Sequence, residues 1–293
     1  MASQTDSGDV RGCLYVVGTP IGNLEDISLR ALRILREADQ IACEDTRRTR
    51  KLLDHYNLQR PLVSYHEHNE LTRAPELILA LEQGAKIALV TDAGTPLVSD
   101  PGYRLVALCV RHRIPVVPVP GPSALLAALS ACGLPASDFV FIGFLPARKG
   151  ERRKALEHLR LEERTIIFFE APHRIVDLLD DVLEILGDRA ACLAREITKV
   201  HEEFRHGRLS QLAEECKKNP PRGEITLILG PQEKAESGRQ ETSQSLSERV
   251  EELIRQAKLD RREALKLAAR ERGLTRRAAY DELLSLRVKS EKP

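Results

Sequence analysis

The chain has 293 residues, room for roughly two domains, and 42% of them are hydrophobic but only 4% aromatic with no Trp, so Leu, Ile, Val and Ala must build the core. Lys and Arg number 45 against 44 Asp and Glu, a formal net charge of +1; a whole-molecule field that gathers nucleic acid is excluded, and any such attraction must be local. The six cysteines (Cys13, Cys43, Cys109, Cys132, Cys192 and Cys216) include no Cys-x-x-Cys pair, which excludes the short-spaced zinc and redox motifs and fits reduced, mostly buried thiols.

The start, Met1–Val10, is polar and acidic, without the basic start and apolar run of a signal peptide, and a cytoplasmic protein is expected. Leu14–Val17, Gln40–Cys43, Lys86–Thr91 and Val116–Val119 then read as strands, with helical patterns between them such as Ser28–Ala38 and Thr46–Tyr56. This alternation predicts an α/β unit over 11–135, a mostly parallel sheet covered by helices. Ile114–Ser137 is uncharged and long enough to span a bilayer, but its five prolines and glycines between Pro115 and Pro122, with Gly133 and Pro135, predict a strand, a Pro-Gly-Pro turn and one short helix instead. No membrane span is expected. A second unit over 136–231 has the apolar runs Phe139–Ile142, Arg164–Phe169, Ala190–Ala194 and Glu224–Leu229, and His201–His206 before Gly207 reads as part of an antiparallel pair, so this sheet is expected to be mixed. Pro231–Ser245 reads as a polar linker. Residues 246–293 form a small helical element in which Asp260 caps Arg261–Arg272, Gly273 stops it, and Thr275 caps Arg276–Leu286, like a helix-turn-helix.

The unusual segments each follow a predicted strand: Gly18–Asn23, Glu44–Thr46, Asp92–Pro96, Pro120–Ser123, Gly143–Gly150, Glu170–Arg174 and Arg195–Lys199. Ligands of α/β sheets bind outside the carboxyl ends of the strands, so seven Gly-, Pro- and polar-rich loops at that edge predict one site built from two units. Gly18–Asn23 is neither a Walker loop nor Gly-x-Gly-x-x-Gly. Asp92–Pro96 is followed at once by the turn Ser99-Asp100-Pro101-Gly102, and such a double turn can present backbone groups to a ligand.

In order along the chain, Thr19-Pro20-Ile21-Gly22-Asn23-Leu24, Glu44-Asp45-Thr46-Arg47, His66-Glu67-His68-Asn69-Glu70, Asp92–Pro96, Asp100–Tyr103, Pro120–Ser123, Gly143–Pro146 and Arg195–Lys199 resemble the bacterial small-subunit ribosomal RNA cytidine 2′-O-methyltransferases, a branch of the tetrapyrrole methylase superfamily. The resemblance runs from about Leu14 to Leu284. It implies the two-domain tetrapyrrole-methylase fold (class III methyltransferase) and S-adenosyl-L-methionine bound between the domains. It further implies 16S rRNA within the small ribosomal subunit as partner, a cytidine of the decoding region as target, and a homodimer. Gly94-Thr95-Pro96 matches the family's Gly-Asp-Pro loop, with Thr95 where corrin-pathway members carry Asp, which points away from a tetrapyrrole substrate. The expected cofactor residues are Pro20, Gly94, Thr95, Pro96, Val98, Ser123, Ala124, Glu170 and Ile197. A methylase of a small corrin precursor is the competing expectation, and a nucleic-acid-binding regulator is a third that leaves the seven loops unused.

Methyl transfer from a sulfonium is an in-line displacement, in which positioning supplies much of the rate. A ribose hydroxyl gains a further ~10²–10⁴-fold from a general base. Glu170 and Glu44 are the expected bases; Asp45, His66, His68, Glu196 and Lys199 are eligible, and pairing with a nearby Arg competes with that role for every carboxylate. The His66/His68 spacing is not the helical i, i+4 zinc pair, and no metal is expected. Arg47, Arg48, Arg50 and Lys51 open one helix, while Arg148, Lys149, Arg152, Arg153 and Lys154 face only Glu151 in sequence. Phosphate contacts are expected from Arg47, Arg48, Arg148, Lys149, Arg152 and Arg153. Arg276 and Arg277 join them, because 246–293 holds 13 Lys or Arg and 9 Asp or Glu.

Overall fold

The computed structural model describes residues 12–232, 246–257, 260–271 and 279. The chain divides into two compact units, Met1–Gln232 and Glu233–Pro293. The first contains two five-stranded sheets. In chain order its first half runs β1 (Cys13–Val17), α1 (Leu29–Glu37), β2 (Gln40–Cys43), α2 (Thr46–His55), β3 (Leu62–Ser64), α3 (Glu70–Glu82), β4 (Lys86–Val90), α4 (Tyr103–Arg111), β5 (Val116–Val119) and α5 (Ala124–Ala131). The strands are all parallel in the order β3-β2-β4-β1-β5. β3 is three residues long, too short to stand out as a β-branched run.

Period-two alternation splits this sheet's side chains between two cores. Val17, Ile41, Cys43, Ala88 and Val90 pack with Ile34 and Leu35 of α1 and Leu53 of α2. Leu14, Ala42, Ile87 and Leu89 pack with Leu77, Ile78 and Leu81 of α3 and Leu105 and Cys109 of α4. Hence β4 sits between β1 and β2, whose following helices lie on one face, while its own following helix lies on the other. Loops diverge at such a point and leave a crevice. Ser28 and Ser123 cap α1 and α5, accepting from the N–H of Ala31 (3.0 Å) and Leu126 (3.5 Å). Pro118–Pro122 ends β5 and starts α5, and among the described residues no helix is long and apolar enough to cross a membrane.

The second half runs β6 (Phe139–Phe144), α6 (Lys149–Glu157), β7 (Thr165–Glu170), α7 (Ile175–Leu186), β8 (Ala190–Arg195), β9 (Glu203–Arg208), α8 (Leu209–Lys218) and β10 (Ile225–Leu229). The order is β6-β7-β10-β8-β9; β6 and β7 are parallel, while β10 is antiparallel to β7 and β8, and β9 to β8, so the sheet is mixed as expected. Ile166, Phe168, Leu193 and Leu227 pack under α6, α7 and α8. The other face, with Ile167, Cys192, Ala194 and Ile228, packs against Ala128, Leu129 and Cys132 of α5 and its C-terminal end and against Ile21 of the β1 loop, joining the two sheets in one core.

In the second unit, α9 (Leu246–Ala257) and α10 (Arg261–Glu271) pack Leu246, Val250 and Leu253 with Ala264, Ala268, Ala269 and Ala279. Asp260 caps α10, its carboxylate accepting from the N–H of Arg262 and Glu263 at 2.8 Å each. The expected helix Arg276–Leu286 lies outside the described residues except for Ala279, as do Thr275, Arg276 and Arg277 and most of the expected linker.

Candidate active site at the joined sheet edges

Positive-φ residues recur within two of the strand-end loops. After β4, Gly94 (φ 86°), Leu97 (φ 74°), Ser99 (φ 64°) and Gly102 (φ 139°) have positive φ; after β8, Glu196 (φ 49°) and Thr198 (φ 67°) do. For residues with a Cβ this costs ~1–3 kcal/mol each and gathers at functional sites, where packing over-determines the strained form. The overdetermination here is visible. Thr19 and Gly94 exchange backbone hydrogen bonds (2.8 and 3.1 Å), tying the β1 loop to the β4 loop beyond the sheet edge. The buried Thr19 hydroxyl donates to the Thr91 carbonyl (3.2 Å), and the Thr95 hydroxyl to the Pro122 carbonyl (3.4 Å). Gly18 and Gly121 meet backbone to backbone: a Cβ on Gly18 would lie 2.8 Å from the Gly121 Cα. The Asn23 N–H donates to the Thr198 hydroxyl (3.1 Å), linking the β1 loop to the β8 loop.

The structure therefore brings Pro20, Gly94, Thr95, Pro96, Val98, Ser123, Ala124 and Ile197 to one region: Ala124 and Ile197 share a core with Ile21, and the Val98 N–H donates to the Thr95 carbonyl (3.3 Å). Glu170 is not among them. It continues the Ile166–Phe168 side of β7, towards α6 and α7. There its buried carboxylate accepts the Ala171 N–H (2.8 Å) and faces Arg174 (3.2 Å), whose guanidinium also donates to the carbonyls of Leu145 (2.7 Å) and Pro146 (3.3 Å). Burial pushes its pKa up, against the pull of Arg174. Period two in β7 thus turns Glu170 into a strut for the β6–α6 loop.

Glu44 ends up in a carboxylate cluster instead. It accepts from the Thr91 hydroxyl (3.2 Å), while Asp92 accepts the Asp45 N–H (3.1 Å) and pairs with Arg48 (3.3 Å). Asp100 completes the group; burial, with Glu44 and Asp92 adding like charge, pushes its pKa up to about 6. Sequence reasoning placed Asp100 in a turn and missed this, since the clustering needs β2 and β4 side by side. Asp45 caps α2 and is held below the usual carboxylate range by hydrogen bonds from the Arg47 side chain and backbone. The pKa of Glu196 is lowered by Lys199 (2.9 Å), and that of Lys199 is raised by the hydrogen bonds it donates to Glu196 and Glu224, which removes it as a base. His66 sits in a local turn in which its backbone N–H donates to the side-chain amide oxygen of Asn69 (2.9 Å).

A hollow of about 210 Å³ opens at the divergence of the β1 and β4 loops, lined by Thr19, Pro20, Leu24, Thr91 and Asp92 with Arg48, Thr49, Lys51 and Leu52 of α2. Arg47 and Arg48 are exposed there, and Arg148 and Lys149 are exposed at the start of α6. Arg152 corrects an expectation: it is buried, pairing with Asp181 of α7 at 2.6 Å, and Arg153 bonds both Asp181 (2.9 Å) and Glu184. The acids that answer this basic run come from another helix, 28 to 31 residues further along the chain, so no count of local charge could reveal them.

The sequence pattern described as "Tetrapyrrole (Corrin/Porphyrin) Methylases" matches residues 13–213, and the chain belongs to this family of methyltransferases. Within it, the chain is 48% identical over 276 residues to the ribosomal RNA small subunit methyltransferase I of Halalkalibacterium halodurans, covering 93% of this chain and 95% of that protein. It is 51% identical over 222 residues to the protein of the same name in Thermotoga maritima, covering 76% of this chain and 100% of the relative. Among solved structures, a Thermus thermophilus uroporphyrin-III C-methyltransferase complexed with S-adenosyl homocysteine is similar in fold (TM-score 0.55, 24% identity, 75% of this chain and 97% of that one). A diphthine synthase is similar too (TM-score 0.58, 16% identity, 75% and 90%).

Proposed function

We propose that this cytoplasmic protein transfers the methyl group of S-adenosyl-L-methionine to the ribose 2′-hydroxyl of a cytidine in the decoding region of 16S rRNA. One observation carries the reading: relatives named for small-subunit rRNA methylation match nearly the whole chain, including the loops that the fold gathers at one edge. The cofactor supplies an activated methyl on a sulfonium. Gly94 at φ 86° offers bare backbone to a ligand, and the close backbone contact of Gly18 with Gly121 holds the β1 and β5 loops together beside it, which fits such a molecule against Gly94, Thr95, Pro96, Val98, Ser123, Ala124 and Ile197, with Pro20 beside them. The Thr19–Gly94 bridge fixes that cradle before binding, so little is lost to loop ordering.

Glu44 is the proton acceptor for the 2′-hydroxyl in this reading. It stands at the end of β2 beside the end of β4, where the Thr91 hydroxyl donates to it (3.2 Å). Glu170 holds Arg174 and thereby the β6–α6 loop. Arg47, Arg48, Arg148 and Lys149 are the phosphate contacts, Arg276 and Arg277 join them from the C-terminal element, and a homodimer is the working assembly.

The test is transfer of labelled methyl to small ribosomal subunits isolated from cells that lack the enzyme, with the modified nucleotide mapped. Label on one cytidine ribose is expected, and Glu44→Gln lowers turnover ~10²-fold or more at saturating cofactor. Label on a base, or none on RNA, overturns the substrate assignment.

A further inference from the structure

The hollow between the β1 loop, β4 and α2 has features that methyl donation leaves unused. One side is cationic. Lys51 is exposed and has no ion-pair partner among the described residues. Arg48, 67% exposed, is held by its single contact with Asp92, and a pair that open to water is readily exchanged for another anion. The same lining includes three apolar residues, Pro20, Leu24 and Leu52. Leu24 stays 38% exposed while its backbone is fixed: Asn23 caps the short turn that it begins, and the Tyr56 hydroxyl donates to its carbonyl. Asp92 also lines the hollow, an acceptor whose second oxygen is released whenever Arg48 turns to another anion.

A cation, an apolar plate and a carboxylate acceptor in one small space match the three parts of an unpaired nucleotide: phosphate, base face and amino edge. Resting on the RNA reading above, we propose that this hollow is a subsite for one single-stranded nucleotide of the substrate whose base carries an exocyclic amine. Its phosphate meets Lys51 and draws Arg48 off Asp92. Its base lies on Leu24 and Pro20, and its amine donates to Asp92. Uracil presents a carbonyl oxygen where cytosine presents the amine, so the same carboxylate repels it.

The experiment measures binding of fluorescein-labelled cytidylate and uridylate RNA octamers to the full chain over a range of salt, with S-adenosylhomocysteine binding followed in parallel. The wild type is expected to hold the cytidylate octamer about tenfold more tightly. Lys51→Ala weakens both octamers and lowers the log–log salt slope by about 0.7, and Asp92→Ala removes the preference while keeping the salt slope. A wild type that binds RNA without preference, or a Lys51→Ala protein with unchanged affinity and slope, overturns the subsite alone. A wild type that binds S-adenosylhomocysteine but neither octamer overturns the RNA reading, and the subsite with it.

Discussion

Helices α2 and α6 carry similar runs of positive charge and use them in opposite ways. On α2, Arg47 and Arg48 stay exposed and touch only Asp45 and Asp92, both at the sheet edge where the loops diverge, and Lys51 faces an open hollow. On α6, Arg152 and Arg153 turn inward onto α7, where Asp181 is buried between them. An ion pair taken out of water holds only while both partners are present, whereas an exposed cation is worth little to the fold and remains available to a ligand. The same composition thus stays open to solvent on one helix and serves assembly on the other, and the partner element decides which.

The contrast is broken most directly at Asp181. Asp181→Ala strands Arg152 without a counter-charge and is expected to cost ~3–5 kcal/mol in a urea melt, while Lys51→Ala stays within about 0.5 kcal/mol. Equal losses would erase the distinction. Next in size is Gly18→Ala, which drives a Cβ against the Gly121 backbone. A loss of ~1–3 kcal/mol is expected, together with weaker S-adenosylhomocysteine binding by calorimetry, since the proposed cofactor cradle is built on that contact. The smallest effect concerns uncompensated charge at the site. Asp100 has its folded-state pKa raised to about 6, so the native state resists ionisation and stability falls as pH rises from about 4 through 6. Asp100→Asn should therefore raise the melting temperature at pH 7.5, by an amount equivalent to ~1–2 kcal/mol, and change little at pH 4. A gain of the same size at both pH values would show that Asp100 carries no such strain, leaving the site edge as well compensated as α6 and α7.

Strand runs such as Gln40–Cys43 and Val116–Val119, the cap Asp260, and the short helix after Pro122 were legible along the chain because each depends on neighbours within a turn or a strand. So was the row of Gly- and Pro-rich loops at strand ends, which the alternation of strands and helices places on one side of each sheet. β3 was too short to register. The side on which a strand-end residue falls required the assembled sheet: Glu170 goes to the α6–α7 face by its parity with Phe168, and Glu44, Asp92 and Asp100 converge because β2 and β4 are neighbours.

By itself, the sequence determined the local elements, the loops that carry the family resemblance and the near-zero net charge that confines attraction for RNA to patches. Tertiary structure alone decided which cations are free and which carboxylates are crowded. Ionic roles depend on the few ångströms around a charged group, and those ångströms are filled by residues far away in the chain.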